Sequence, residues 1–154
     1  MTDVHSAETR SRNMAAIRGK NTKPEILIRH ALFARGYRYR LHCPNIPGKP
    51  DIVLPKYRAA IQVQGCFWHK HTCKYFKWPK TRPEFWRKKI QGNVVRDQKA
   101  LYQLKIDTWR VLIIWECALK SISSEEFESL IDRVENWLNS DSDYFEIPQN
   151  SSYE

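Results

Sequence analysis

The sequence predicts an α/β fold in which helices flank a central mixed β-sheet. Two Thr-x-Pro-Glu strings, at Thr22 and Thr81, each open a stretch with apolar residues at helical spacing. Short β-branched segments lie between them. A continuous apolar run, Val111 to Trp115, has the length and branching of a strand buried on both faces.

Taken in order, Ala7 to about Arg18 reads as a helix or basic arm, with Met14 and Ile17 as its few apolar contacts. Thr22-Lys23-Pro24-Glu25 caps a helix running through Ile26, Leu27, Ala31 and Leu32, closed by Gly36. Tyr37, Tyr39 and Leu41 alternate with Arg38 and Arg40, as in a strand with one wet face. A loop rich in proline follows, then strands Asp51 to Leu54 and Ala59 to Gln64, separated by a turn at Pro55-Lys56-Tyr57. Thr81-Arg82-Pro83-Glu84 opens a long helix with Trp86, Ile90, Val94, Leu101 and Leu104 on one face, and Asp97 falls on that same stripe. After the buried strand, Phe127, Leu130, Ile131, Val134, Trp137 and Leu138 mark a final amphipathic helix. One domain is therefore expected over 21–139, preceded by an arm over 1–20 and followed by an acidic, flexible tail over 140–154.

Charge divides the chain. Residues 1–120 carry 25 Lys and Arg against 8 Asp and Glu, whereas 121–154 carry 1 against 9. The basic part suits a polyanion, because each phosphate neutralised releases condensed counterions. Six tryptophans interleaved with the basic residues add surfaces that stack on bases. No run of about 18 apolar residues is present, and the polar opening lacks a signal-peptide core, so a cytoplasmic protein without disulfides is expected.

That setting turns the four cysteines toward metal. Cys66, His69, His71 and Cys73 fall within eight residues, and Cys117 follows the buried strand. Three thiolates and one imidazole make a closed tetrahedral zinc site, whose role is structural because no position is left for substrate. Spacing leaves His69 and His71 both open as the fourth ligand. Cys43 reads as a core or loop thiol.

Carboxylates are scarce in the basic part, which limits the choices for a hydrolytic magnesium site. Asp51, at the start of a strand after Pro50, is the foremost. Asp97, on an apolar stripe, needs a partner: a surface pair with Arg96 or Lys99, or an imidazole whose tautomer it would set. His69 is the candidate if His71 goes to zinc.

The string Gly65-Cys66-Phe67-Trp68-His69 with His71-x-Cys73, and Trp115-Glu116-Cys117 downstream, resembles the very-short-patch repair (Vsr) mismatch endonucleases. Asn21-Thr22-Lys23-Pro24-Glu25, Pro47-Gly48-Lys49-Pro50-Asp51, Phe85-Trp86 with Lys89-Ile90, and Asn93 with Arg96-Asp97 match in the same order, covering roughly 8–138. The resemblance implies a restriction-endonuclease-like core that nicks DNA 5′ of the thymine in T:G mismatches left by 5-methylcytosine deamination. It implies magnesium held by the Asp51 side chain and the Val63 carbonyl, and proton transfer by His69 with support from Asp97. Zinc falls to Cys66, His71, Cys73 and Cys117. Phe67, Trp68 and Trp86 would wedge into the duplex from one groove and Met14 from the other, while Lys89 and Asn93 contact the mismatched bases. Trp86 sits on a helical core stripe and also admits a reading as core packing. Glu25 and Gln64 are auxiliary candidates; many relatives carry histidine at the Gln64 position, and an amide cannot exchange a proton at neutral pH. The expected partners are duplex DNA with a T:G mismatch, a cytosine-5 methyltransferase and the general mismatch-repair proteins, with the chain a nucleoid-associated bacterial monomer. Two other readings use the same features: a non-catalytic zinc DNA-binding module, and a restriction endonuclease that cuts both strands of undamaged DNA.

Overall fold

A computed structural model describes residues 21–149. The expected arm, Met14 included, and the last five residues lie outside them. Among the described residues are three α-helices, α1 (Lys23–Ala34), α2 (Pro83–Ile106) and α3 (Ser124–Leu138). They pack around a five-stranded sheet of β1 (Arg40–Leu41), β2 (Ile52–Leu54), β3 (Ala59–Gln64), β4 (Arg110–Trp115) and β5 (Tyr144–Ile147), in the spatial order β1-β2-β3-β4-β5. The first three strands pair antiparallel, whereas β3, β4 and β5 run parallel. The mixed sheet follows from the connections: a short turn joins β2 to β3, and the helices α2 and α3 cross over between the parallel strands.

Alternation along the strands sends side chains to two cores. Ile52, Leu54, Ala59, Ile61, Leu112, Ile114 and Ile147 meet Ile28 and Leu32 of α1 and Leu130, Ile131, Val134, Trp137 and Leu138 of α3. On the other face Ala60, Val111, Ile113 and Trp115 pack with Leu104 and Leu101 of α2. Each fully buried Leu or Ile is worth roughly 1.5–3 kcal/mol relative to exposure, so the layers fix the sheet against both helix sets. No described helix is long and apolar enough to cross a membrane.

Four local expectations change. The α1 stripe runs through Ile28 and Leu32, leaving Leu27 42% exposed. At its start Thr22 caps the Glu25 N–H at 3.4 Å, but the Glu25 carboxylate reaches the Asn21 N–H at 3.0 Å, so the reciprocal bond shifts by one residue. In α2 the capping residue is Arg82 in a left-handed conformation (φ 52°) without a side-chain cap, not Thr81. The strand expected from Tyr37 shrinks to Arg40–Leu41, because Tyr37 is drawn into the core and its N–H closes the end of α1 on the Leu32 carbonyl at 3.0 Å.

The largest correction is at the C-terminus. The fold does not end near Leu138, and 140–154 is not wholly a flexible tail, for Tyr144–Ile147 forms β5, pairing Val111 with Tyr144 through Ile114 with Ile147. Its acidic surroundings suggest a solvated segment. Parallel pairing nevertheless satisfies its backbone, and Ile147 is 1% exposed in the core.

Candidate active site and metal centre

The parallel register of β3 and β4 brings the candidate metal ligands together. Gln64 pairs with Trp115, so the turn carrying Cys66 and the turn carrying Cys117 leave the sheet side by side. The chain then doubles back, with the His71 N–H donating to the Cys66 carbonyl at 2.9 Å and the Cys73 N–H to the His71 carbonyl at 2.9 Å. As a result the ligand atoms of Cys66, His71, Cys73 and Cys117 lie within 4.8 Å of one another. His71 Nδ1 is 3.5 Å from both Cys66 Sγ and Cys117 Sγ. A tetrahedral ion with Zn–S of about 2.3 Å and Zn–N of about 2.0–2.1 Å spaces sulfur and nitrogen ligands by about 3.5 Å, so this group fits such an ion. Burial holds the His71 imidazole below its ordinary pKa, which keeps it neutral as a ligand must be. Burial also pushes the Cys66 and Cys117 thiols upward, a cost that a bound cation offsets. Cys43 stands apart from this group.

Trp115 backs the cluster. Its indole stacks on the His71 ring with centroids 4.1 Å apart and planes 6° from parallel. Its Nε1–H donates to Glu146 Oε1 at 2.9 Å, so β5 braces the Cys/His cluster. Glu116 caps the same turn, accepting the Cys66 N–H at 3.1 Å. Neither acid stands out in sequence, since both roles depend on strand register.

His69 takes no part in the cluster. Its Nδ1 is 2.5 Å from Asp97 Oδ2 on α2, which settles the partner of Asp97. Arg96, one of the two cationic alternatives, bonds Asn93 instead.

Asp51 immediately precedes β2, and its carboxylate Oδ2 accepts the Val63 N–H at 2.8 Å. Burial pushes its pKa up to about 7, the Val63 hydrogen bond opposes this, the nearby Glu25 charge adds to it, and His69 opposes it. A carboxylate whose ionisation is penalised in this way fits a cation site. Gly48 presents the preceding loop with φ +76°, and a Cβ there would stand 2.9 Å from Ala100 Cβ on α2, so only glycine lets the loop lie against the helix. Gln62 pins that loop by donating to the Gly48 carbonyl at 3.1 Å. No hydrogen bond links Gln64 to this group among those described.

Trp68, His69, Lys89, Asn93, Arg96 and Asp97 line one cleft of about 220 Å³. Its hydrogen bonds show a further task for Asn93, whose Nδ2 donates to the Trp68 carbonyl at 2.9 Å. Trp68 joins this cleft to an aromatic cluster in which Phe67, Trp68 and Trp86 meet in pairs with ring centroids 5.1–5.8 Å apart. Trp86 belongs to this cluster and to neither core. Sequence reasoning missed Arg96 as a cleft residue and His42, whose Nε2 is 2.7 Å from Glu25 Oε2; a histidine in a proline-rich loop gives no periodic signal.

The family model described as DNA mismatch endonuclease Vsr matches residues 2–75. The chain is 44% identical over 138 residues to the DNA mismatch endonuclease Vsr of Escherichia coli, covering 90% of this chain and 88% of that protein. It is 44% identical over 126 residues to the type II nicking enzyme V.XorIIP of Xanthomonas oryzae pv. oryzae, covering 82% and 93%. It is 40% identical over 138 residues to the type II nicking enzyme V.NmeAIP of Neisseria meningitidis, covering 88% and 99%.

Proposed function

Because this chain belongs to the Vsr family of DNA mismatch endonucleases, we propose that it nicks one DNA strand 5′ of the thymine in T:G mismatches left by 5-methylcytosine deamination. Such a nick starts very-short-patch repair. The observation that carries the proposal is the cleft in which an imidazole–carboxylate pair, His69 and Asp97, shares walls with Trp68, Lys89 and Asn93. Proton-transfer groups and base-contacting groups then act on the same stretch of duplex.

Asp51, with the Val63 carbonyl, would hold magnesium, which polarises the scissile phosphate and offsets the charge that develops on its oxygens. Asp97 accepts the Nδ1–H of His69, which fixes the tautomer and leaves Nε2 to take the proton of the attacking water. Water adds to phosphorus as the bond to the leaving sugar oxygen breaks. Cys66, His71, Cys73 and Cys117 would hold one zinc ion, stapling the turn that carries His69 to the end of β4.

Selectivity comes from distortion. Phe67, Trp68 and Trp86 wedge into the stack, with Met14 entering from the opposite groove; unstacking costs a few kcal/mol per step and less where pairing is already weak. Lys89 and Asn93 contact the mismatched bases, and Asn93 exchanges its bond to the Trp68 carbonyl for one to a base edge. The basic surface supplies the salt-dependent share of affinity. The residues of 1–20 act as the DNA-contacting arm, and the chain works as a monomer beside a cytosine-5 methyltransferase that shares its site.

The test uses end-labelled duplexes, matched or carrying one T:G mismatch, incubated with magnesium. The expected product is a single break 5′ of the mismatched thymine with wild-type protein, and none with Asp51→Ala. Intact strands throughout would favour a non-catalytic zinc DNA-binding module, and breaks in both strands of matched DNA a restriction endonuclease.

A further inference from the structure

A second imidazole–carboxylate pair stands beside Asp51 with no role in the scheme above. The β1–β2 register continues one step past the Leu41–Ile52 pair, so His42 faces Asp51 across the ladder and its N–H donates to the Asp51 carbonyl at 3.1 Å. The His42 backbone is left-handed (φ 48°), a region that disfavours side chains with a Cβ and recurs at functional sites. Its Nε2 lies 2.7 Å from Glu25 Oε2. Ligand-type atoms of Glu25, His42 and Asp51 all fall within 4.8 Å of one another.

The partners of Glu25 decide what this cluster can do. Its carboxylate is 1% exposed and also takes the Arg29 guanidinium at 2.8 Å and the Asn21 N–H at 3.0 Å. A carboxylate already holding a cationic side chain is a poor ligand for a further cation. His42 remains 21% exposed, so the pair offers its imidazole outward and keeps its carboxylate inside. Gln62 and Gln64 at the end of β3 carry amides, which form hydrogen bonds but exchange no protons. A phosphodiester brought to Asp51 therefore meets His69 with Asp97 on α2, and His42 with Glu25 on the β1 side.

We infer that His42, aligned by Glu25, is a second substrate-contacting imidazole that hydrogen-bonds the scissile phosphodiester. Glu25 holds Nε2, which leaves Nδ1 to meet a phosphoryl oxygen, where a hydrogen bond strengthens as charge builds. The inference deepens the endonuclease reading and rests on it.

His42→Gly is the test variant, because glycine accepts the left-handed backbone without strain. Single-turnover nicking of a T:G duplex should fall by about 10²-fold, more than duplex affinity measured without magnesium. Free imidazole should restore part of the rate, and the melting temperature should hold. His42→Asn, which tolerates the same backbone, should show the loss without the rescue. A rate within about 3-fold of wild type in both variants, or a loss in the glycine variant that free imidazole does not lift, would overturn the inference. If wild-type protein left the mismatched duplex intact, the endonuclease reading itself would fall, and the role of His42 with it.

Discussion

His69 and Asp97 are joined by a 2.5 Å contact between Nδ1 and Oδ2 that ties the turn after β3 to the middle of α2. Both side chains remain partly exposed, at 28% and 34%, so the pair is reachable from the cleft yet set by two rigid elements. Asp97→Asn is expected to lower the single-turnover nicking rate by about 10²–10⁴-fold, with little change in duplex affinity. An unchanged rate would remove His69 from proton transfer.

The thiolate cluster predicts one tightly held metal ion per chain, measurable by elemental analysis of protein purified without added metal. Cys73→Ala and Cys117→Ala should lose it and lower the melting temperature by roughly 10 °C or more, since structural zinc contributes many kcal/mol to folding. Excess magnesium should not restore either variant. Native melting in a metal-free chain would show that the cysteines are ordinary core groups.

Asp51 gives a pH signature in magnesium-free buffer. Its folded pKa, raised to about 7 chiefly by burial, means that from about pH 4 to about pH 7 the folded chain binds a proton that the unfolded chain has lost. Stability should therefore fall as pH rises through that window, and the cost is complete above it. Asp51→Asn removes the ionisation and should be more stable than wild type at pH 8, by roughly 1–3 kcal/mol. Added magnesium should narrow the gap by stabilising only the wild type. Equal melting curves at pH 8 would argue against a penalised carboxylate.

β5 supplies a test of the fold. Ile147→Ala should cost roughly 2–4 kcal/mol, read as a shift in the denaturation midpoint. Glu146→Leu, which removes the acceptor for the Trp115 indole, should speed metal loss to a chelator. Neither effect is compatible with a tail that is disordered throughout.

Much of this was legible in the sequence where local chemistry dictates form. The strand Ala59–Gln64 and the helix ending at Leu138 follow from periodicity. The potential ligands clustered in 66–73, with Cys117, pointed to a metal group because two thiols and two imidazoles in so short a stretch are an unusual makeup for plain core packing. What stayed hidden depends on pairing between distant segments. The choice between His69 and His71 is made by α2, which brings Asp97 to one of them. β5 is stable only against β4, and its four residues are too few for alternation to outweigh an acidic neighbourhood. The pairing of His42 with Glu25 needs α1 and the end of β1 to meet, and a positive φ has no mark in a side chain.

The central claim is that a divalent ion is gripped beside the scissile phosphate at Asp51. Manganese soaked into crystals of a complex with mismatched DNA, located by its anomalous scattering, tests it most directly. The expected result is a peak between the Asp51 carboxylate, the Val63 carbonyl and a phosphoryl oxygen, absent in Asp51→Ala. A DNA-bound crystal with no peak within coordination distance of Asp51, or the same peak retained in the alanine variant, would contradict it.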